Sequence, residues 1–110
     1  MEHAIVSEIA GEVVGFASLR LFHYLGEDRP HAEVSELFVV EQVRQKGVGA
    51  ELLSHIEGRA RASGATGFSV LVDAENASAL SLYRKQGMKP FSIALQKWLS
   101  KERPYGTSNE

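Results

Sequence analysis

The tightest constraint on this chain lies between residues 32 and 72, where the apolar pattern changes character twice. Val34-Ser35-Glu36-Leu37-Phe38-Val39-Val40 is rich in β-branched and aromatic residues, and residues 32–40 read as a strand. After it, Val48, Leu52, Ile56 and Ala60 recur at helical spacing, which predicts a helix over 48–63 ending at Gly64. Phe68 to Val72 is a nearly continuous apolar run and reads as a strand buried on both faces. A strand, a helix and a strand in that order make the two strands parallel, with a right-handed crossover. The first junction is Arg44-Gln45-Lys46-Gly47-Val48-Gly49-Ala50. Glycine there lets the backbone approach a ligand with no Cβ in the way. The first helical turn leaves unpaired N–H groups and a positive dipole end, which suit a phosphate or pyrophosphate. The plainer alternative is a tight turn that binds nothing. The junction contains no G-x-x-x-x-G-K-[ST], and Leu52 breaks a G-x-G-x-x-G reading, so neither a triphosphatase nor a nicotinamide enzyme is supported.

The remaining elements surround this unit. Residues 3–9 carry Ile5, Val6 and Ile9 in weak alternation, Ala10-Gly11-Glu12 reads as a hairpin turn, and Val13 to Phe22 as a second strand. Residues 23–30 form a polar loop. Gly58 weakens the first helix, and Glu57 four residues before Arg61 returns a little. Asn76 is placed to cap a second helix holding Ala79, Leu80 and Tyr83, stopping at Gly87, with Arg84 and Lys85 at its negative end. After Pro90, Phe91 to Leu99 reads as a last strand containing Trp98. The expected order is β-β-β-α-β-α-β, an α/β (α+β) mixed sheet with helices packed on it. Residues 1–100 are expected to form one domain, followed by a polar tail at 101–110.

Composition narrows the function classes. A chain of 110 residues fits one small domain. Its formal net charge of −2 gives no electrostatic case for nucleic acid. There is no cysteine, which excludes disulfides, thiolate metal sites and cysteine nucleophiles. No signal peptide and no membrane-spanning apolar stretch is apparent, so a cytoplasmic, membrane-free protein is expected. His3, His23, His31 and His55 show no metal-ligand spacing, so no metal is expected. His23 and His31 flank the polar loop.

Two segments together resemble the GCN5-related N-acetyltransferases. Leu37-Phe38-Val39 followed by Arg44-Gln45-Lys46-Gly47-Val48-Gly49 is similar to that family's [QR]-x-x-G-x-[GA] acetyl-CoA motif. Asn76, Ala79, Tyr83 and Gly87 match its N-x-x-A-x-x-x-Y-x-x-x-G helix. The resemblance covers roughly residues 5–98. It implies an N-acetyltransferase that uses acetyl-CoA and a primary amine of a small molecule or protein, with direct attack of the amine. The backbone of Leu37, Phe38 and Val39 would bond the pantetheine arm as a neighbouring strand would. The amides of Gln45, Lys46, Gly47, Val48, Gly49 and Ala50 would hold the pyrophosphate, with Arg44 at the rim of the loop. Asn76 would approach the cofactor, and the strand at Phe68 to Val72 would splay from 32–40 to admit the thioester. Tyr83 would protonate the leaving sulfur; its alternative is a core tyrosine packed beside Ala79 and Leu80. Glu36, directly before the cofactor-contacting strand, is the preferred base, and Glu33 the alternative. Three positions apart, the two glutamates face opposite sides of a regular strand, unless a bulge changes the count.

The chain departs from the family in one large respect. It starts at what would be the family's second strand, lacking the usual N-terminal strand and helices that wall the acceptor site. Met88 stands where an aromatic is common, and Glu41 and Gln42 where the spacer often has proline. A second reading is therefore a non-catalytic acyl-CoA-binding module, or a truncated form acting through a partner. An uncovered first edge strand also leads to the expectation of a homodimer.

Overall fold

The structure, a computed structural model, describes residues 2–101. Two compact units divide between Val70 and Leu71. In the first, strands β1 (Glu2–Ile9), β2 (Glu12–Phe22), β3 (His31–Val39) and β4 (Phe68–Val70) form one sheet in the order β1-β2-β3-β4. The β1–β2 and β2–β3 pairs are antiparallel, and β3–β4 is parallel. The tight turn between β1 and β2 puts Ala10 (φ 54°) and Gly11 (φ 84°) in left-handed conformations, the two-residue geometry that matches strand twist. Helix α1 (Val48–Ala62) makes the crossover from β3 to β4.

Helix α1 packs on β1, β2 and β3, and its buried stripe is Val48, Leu52, Leu53, Ile56 and Ala60. Opposite it, Ala17, Leu19, Ala32 and Val34 are buried in the sheet. The contact is close because Gly15 has no side chain: a Cβ there would sit 2.9 Å from the Phe38 carbonyl oxygen and 3.1 Å from Leu52 Cδ1. Gly15 therefore marks the face under α1. Strand alternation places Ala17 and Leu19 on that face and Phe16, Ser18, Arg20 and Phe22 on the other. The Glu57–Arg61 pair forms along α1, with Nη2 2.8 Å from Oε2.

In the second unit, α2 (Ala77–Lys85) begins where Asn76 Oδ1 accepts the Ala79 N–H at 3.0 Å. Both helices end alike. Ala65 N–H bonds to the Ala60 carbonyl at 3.1 Å after Gly64, and Met88 N–H to the Tyr83 carbonyl at 3.0 Å after Gly87. Both glycines are left-handed, so both ends have the Schellman pattern.

Two elements differ from the sequence expectation. Strand β4 stops at Val70 rather than Val72, its residues are only half-buried, and Leu71 is exposed. Its register with β3 ends at Val34↔Val70, so no ladder extends it. The last strand over Phe91–Leu99 does not form among the described residues; Phe91, Ile93 and Leu95 are almost fully exposed. The alternation there is strand-like, but a strand exists only where another edge takes up its backbone groups. The tail beyond 101 lies outside the described residues. Among those described, no helix is long and apolar enough to cross a membrane.

Candidate active site

The decisive local feature is a bulge in β3. Ser18 faces Glu36 and the next residue, Leu19, faces Val34, so Ser35 has no opposite number. Its hydroxyl lies 2.7 Å from that of Ser18, across the irregularity. The extra residue resets the alternation. Glu36 opposite Ser18 and Glu33 opposite Arg20 now lie on the same face, away from α1, because Ser18 and Arg20 are two apart. Regular alternation would have separated the two carboxylates.

They differ in company. Glu33 accepts a hydrogen bond from Arg20 Nη2 at 2.7 Å. The Glu36 side chain is exposed and makes no hydrogen bond or ion pair among the described residues. Of the two, Glu36 is the carboxylate without a side-chain partner among the described residues.

The bulge also marks a parting in the sheet. Parallel pairing covers Ala32 to Val34 and no further, while β3 runs on to Val39. Past Val34, then, the β4 side of Leu37, Phe38 and Val39 carries no β4 ladder. Phe38 lies on the face away from α1, its ring 5.9 Å from that of Phe16, and Leu37 and Val39 lie on the α1 face, half-buried.

Beyond Val39 a short 3-10 turn (Glu41–Val43), absent from the sequence expectation, leads into the glycine junction. Arg44 is folded back on the strand end. Its Nε donates to the Val39 carbonyl at 2.9 Å, and its guanidinium stands 5.9 Å from the Phe38 ring centroid. Gln45 (φ 62°) and Gly47 (φ 88°) are both left-handed. The first of these costs a non-glycine residue roughly 1 kcal/mol or more, and strain of this kind gathers at ligand-binding turns. Gly47 is the N-cap of α1 and supplies no side chain to its first turn, so the amides of Val48, Gly49 and Ala50 lack the usual capping acceptor.

In the second unit, Tyr83 is buried on α2, and burial raises its phenol above the ordinary value of 10.0. Asn76 spends its side-chain oxygen on the helix cap, a role that the capping pattern already announced.

Solved structures share this mixed sheet, in which β3–β4 pairing stops short beside a strand-to-helix glycine turn. A transcriptional regulator from Bacillus halodurans superposes with a TM-score of 0.81 at 22% identity, covering 89% of this chain and 66% of that one. AAC(6')-Iy, in complex with a CoA-linked bisubstrate analogue, gives 0.78 at 18% identity, covering 90% and 69%. The chain belongs to the Acetyltransferase (GNAT) family, whose profile it matches over residues 2–88. It is 33% identical over 85 residues to an L-methionine sulfoximine/L-methionine sulfone acetyltransferase of Pseudomonas aeruginosa, covering 77% of this chain and 49% of the relative. It is 38% identical over 88 residues to a mycothiol acetyltransferase of Amycolatopsis mediterranei, covering 80% and 26%. The chain spans about half the length, or less, of these curated relatives.

Proposed function

We propose that this protein is a cytoplasmic acetyl-CoA-dependent N-acetyltransferase acting on a primary amine. Its family uses acetyl-CoA. The observation that carries the reading is the junction itself: left-handed Gln45 and Gly47 open a helix whose first amides have no cap, at the end of a strand with a parted edge. The pyrophosphate binds the amides of residues 45–50, with the remaining donors of Arg44 at the rim. The pantetheine arm lies along Leu37 to Val39, extending the sheet as a strand would.

Reaction begins with the neutral amine. Its lone pair forms the bond to the acyl carbon, and the C–S bond breaks with its electrons on sulfur. Glu36 accepts the proton that the nitrogen sheds, and Tyr83 gives one to the sulfur. Strand amides polarise the thioester carbonyl. Holding amine and thioester together supplies much of the rate.

Gly49→Asp places a negative side chain beside the phosphates. Calorimetry should show CoA affinity reduced by at least about tenfold, for a loss of roughly 1.4 kcal/mol, with the far-ultraviolet spectrum unchanged. Native affinity in that variant would remove the assignment. CoA binding by the native chain without turnover on any amine would leave a binding module in place of an enzyme.

A further inference from the structure

The sheet face opposite α1 also bears on which amine is used, and this step rests on the transferase reading above. Three rungs of β2 and β3 line up there: Ser18 with Glu36 at the bulge, then Arg20 with Glu33, then Phe22 with His31. Successive rungs on one face stand about 7 Å apart. The first rung is at the point where pairing with β4 has ended, so it borders the gap assigned to the thioester.

Arg20 is held ready for a ligand. One N–H goes to Glu33 at 2.7 Å, and the guanidinium carbon lies 4.7 Å from the centroid of the Phe22 ring. The ring beneath and the carboxylate beside it fix the guanidinium plane. The side chain is nonetheless 46% exposed, and among the described residues its Nε and Nη1 donors have no partner. A guanidinium fixed in this way and open on one side matches a carboxylate with two parallel hydrogen bonds.

We infer that the acceptor is an amine with a carboxylate on the adjacent carbon, an α-amino acid or close analogue. Arg20 holds the carboxylate, and the nitrogen points to the Glu36 rung. Such a molecule, with a hydrogen bond of about 2.9 Å at each end, spans about one rung. A polyamine would set a second cation against Arg20, and a lysine side chain within a protein carries no carboxylate at that spacing. The third rung suits the acceptor's side chain: the rings of Phe22, Tyr24 and His31 cluster with centroids 5.2 to 5.5 Å apart.

The test compares each amino acid with the amine left by its decarboxylation: phenylalanine with phenethylamine, leucine with isoamylamine. Acetyl-CoA turnover is measured with the full chain, with Arg20→Gln and with Arg20→Lys. In the native protein kcat/KM should favour the carboxylated member by about tenfold or more. Arg20→Gln should abolish that ratio, and Arg20→Lys should keep part of it, since a charge remains without the fork. A ratio is insensitive to a loss of folded protein. Equal or reversed preference in the native protein, or an unchanged ratio in Arg20→Gln, overturns the inference and leaves the transferase reading standing. If no amine turns over, the Arg20 Nε–H resonance is followed as phenylalanine is added to the CoA-bound protein. A saturable shift upholds the carboxylate anchor without the transferase, and no shift overturns it.

Discussion

At the scale of a single residue, burial bears on the proposed role of Tyr83 as proton donor. The buried phenol holds its proton beyond the ordinary value of 10.0, so a donor in its position stays protonated throughout the neutral range. The same shift has a stability consequence of fixed sign. Below pH 10 the folded and unfolded chains both carry the neutral phenol, and the group adds no pH dependence. Above it the unfolded chain loses the proton first, so stability falls as pH rises through the folded-state pKa. The alkaline drop in Tm should be shallower in Tyr83→Phe. In kinetics that variant is expected to lose on the order of a hundredfold in kcat with CoA affinity nearly unchanged. An unaltered kcat would make Tyr83 a packing residue. Glu36→Gln should lower kcat about a hundredfold with CoA affinity nearly unchanged; a matching loss of CoA binding would speak for structure instead of base catalysis.

At the scale of elements, the bulge at Ser35 and the close seating of α1 decide what β2 and β3 can do. The bulge brings Glu33 and Glu36 to one face, and past it the pairing with β4 lapses. The seating of α1 depends on Gly15, where a Cβ would meet a backbone oxygen that cannot move aside. Gly15→Ala should therefore destabilise the fold by about 1–3 kcal/mol, the usual cost of overpacking. Urea unfolding checks this: a midpoint equal to the native one would mean that the sheet and helix part without penalty.

At the scale of the molecule, the sheet has apolar groups with little cover. Strand β1 is an outer strand eight residues long, and Val6, Ile9 and Val13 are about half exposed. Long apolar edges of this kind recruit partners, and the proposed assembly is a two-fold homodimer. It would pair β1 edges or exchange the apolar segment Phe91–Leu99. Light scattering at micromolar concentration should give twice the chain mass; a monomer with full activity would exclude the dimer. If the acceptor site is shared, mixing Tyr83→Phe chains with chains disrupted in the 23–30 loop should partly restore turnover.

Local chemistry made much of this protein legible from its residues alone. The helical spacing from Val48 to Ala60, the Asn76 cap, the stops at Gly64 and Gly87 and the two-residue turn at Ala10-Gly11 are short-range events that a sequence encodes directly. So is the glycine junction with its resemblance to an acetyl-CoA motif, although left-handed Gln45 has no sequence signal of its own. What depended on tertiary structure was pairing. The bulge at Ser35 arises from register between two strands, and register decided that Glu33 binds Arg20 while Glu36 does not. Strand β4 ended two residues early because its ladder with β3 ends at Val34. The apolar alternation of Phe91 to Leu99 produced no strand, since alternation supplies a face to bury but not the neighbouring edge that must accept its hydrogen bonds.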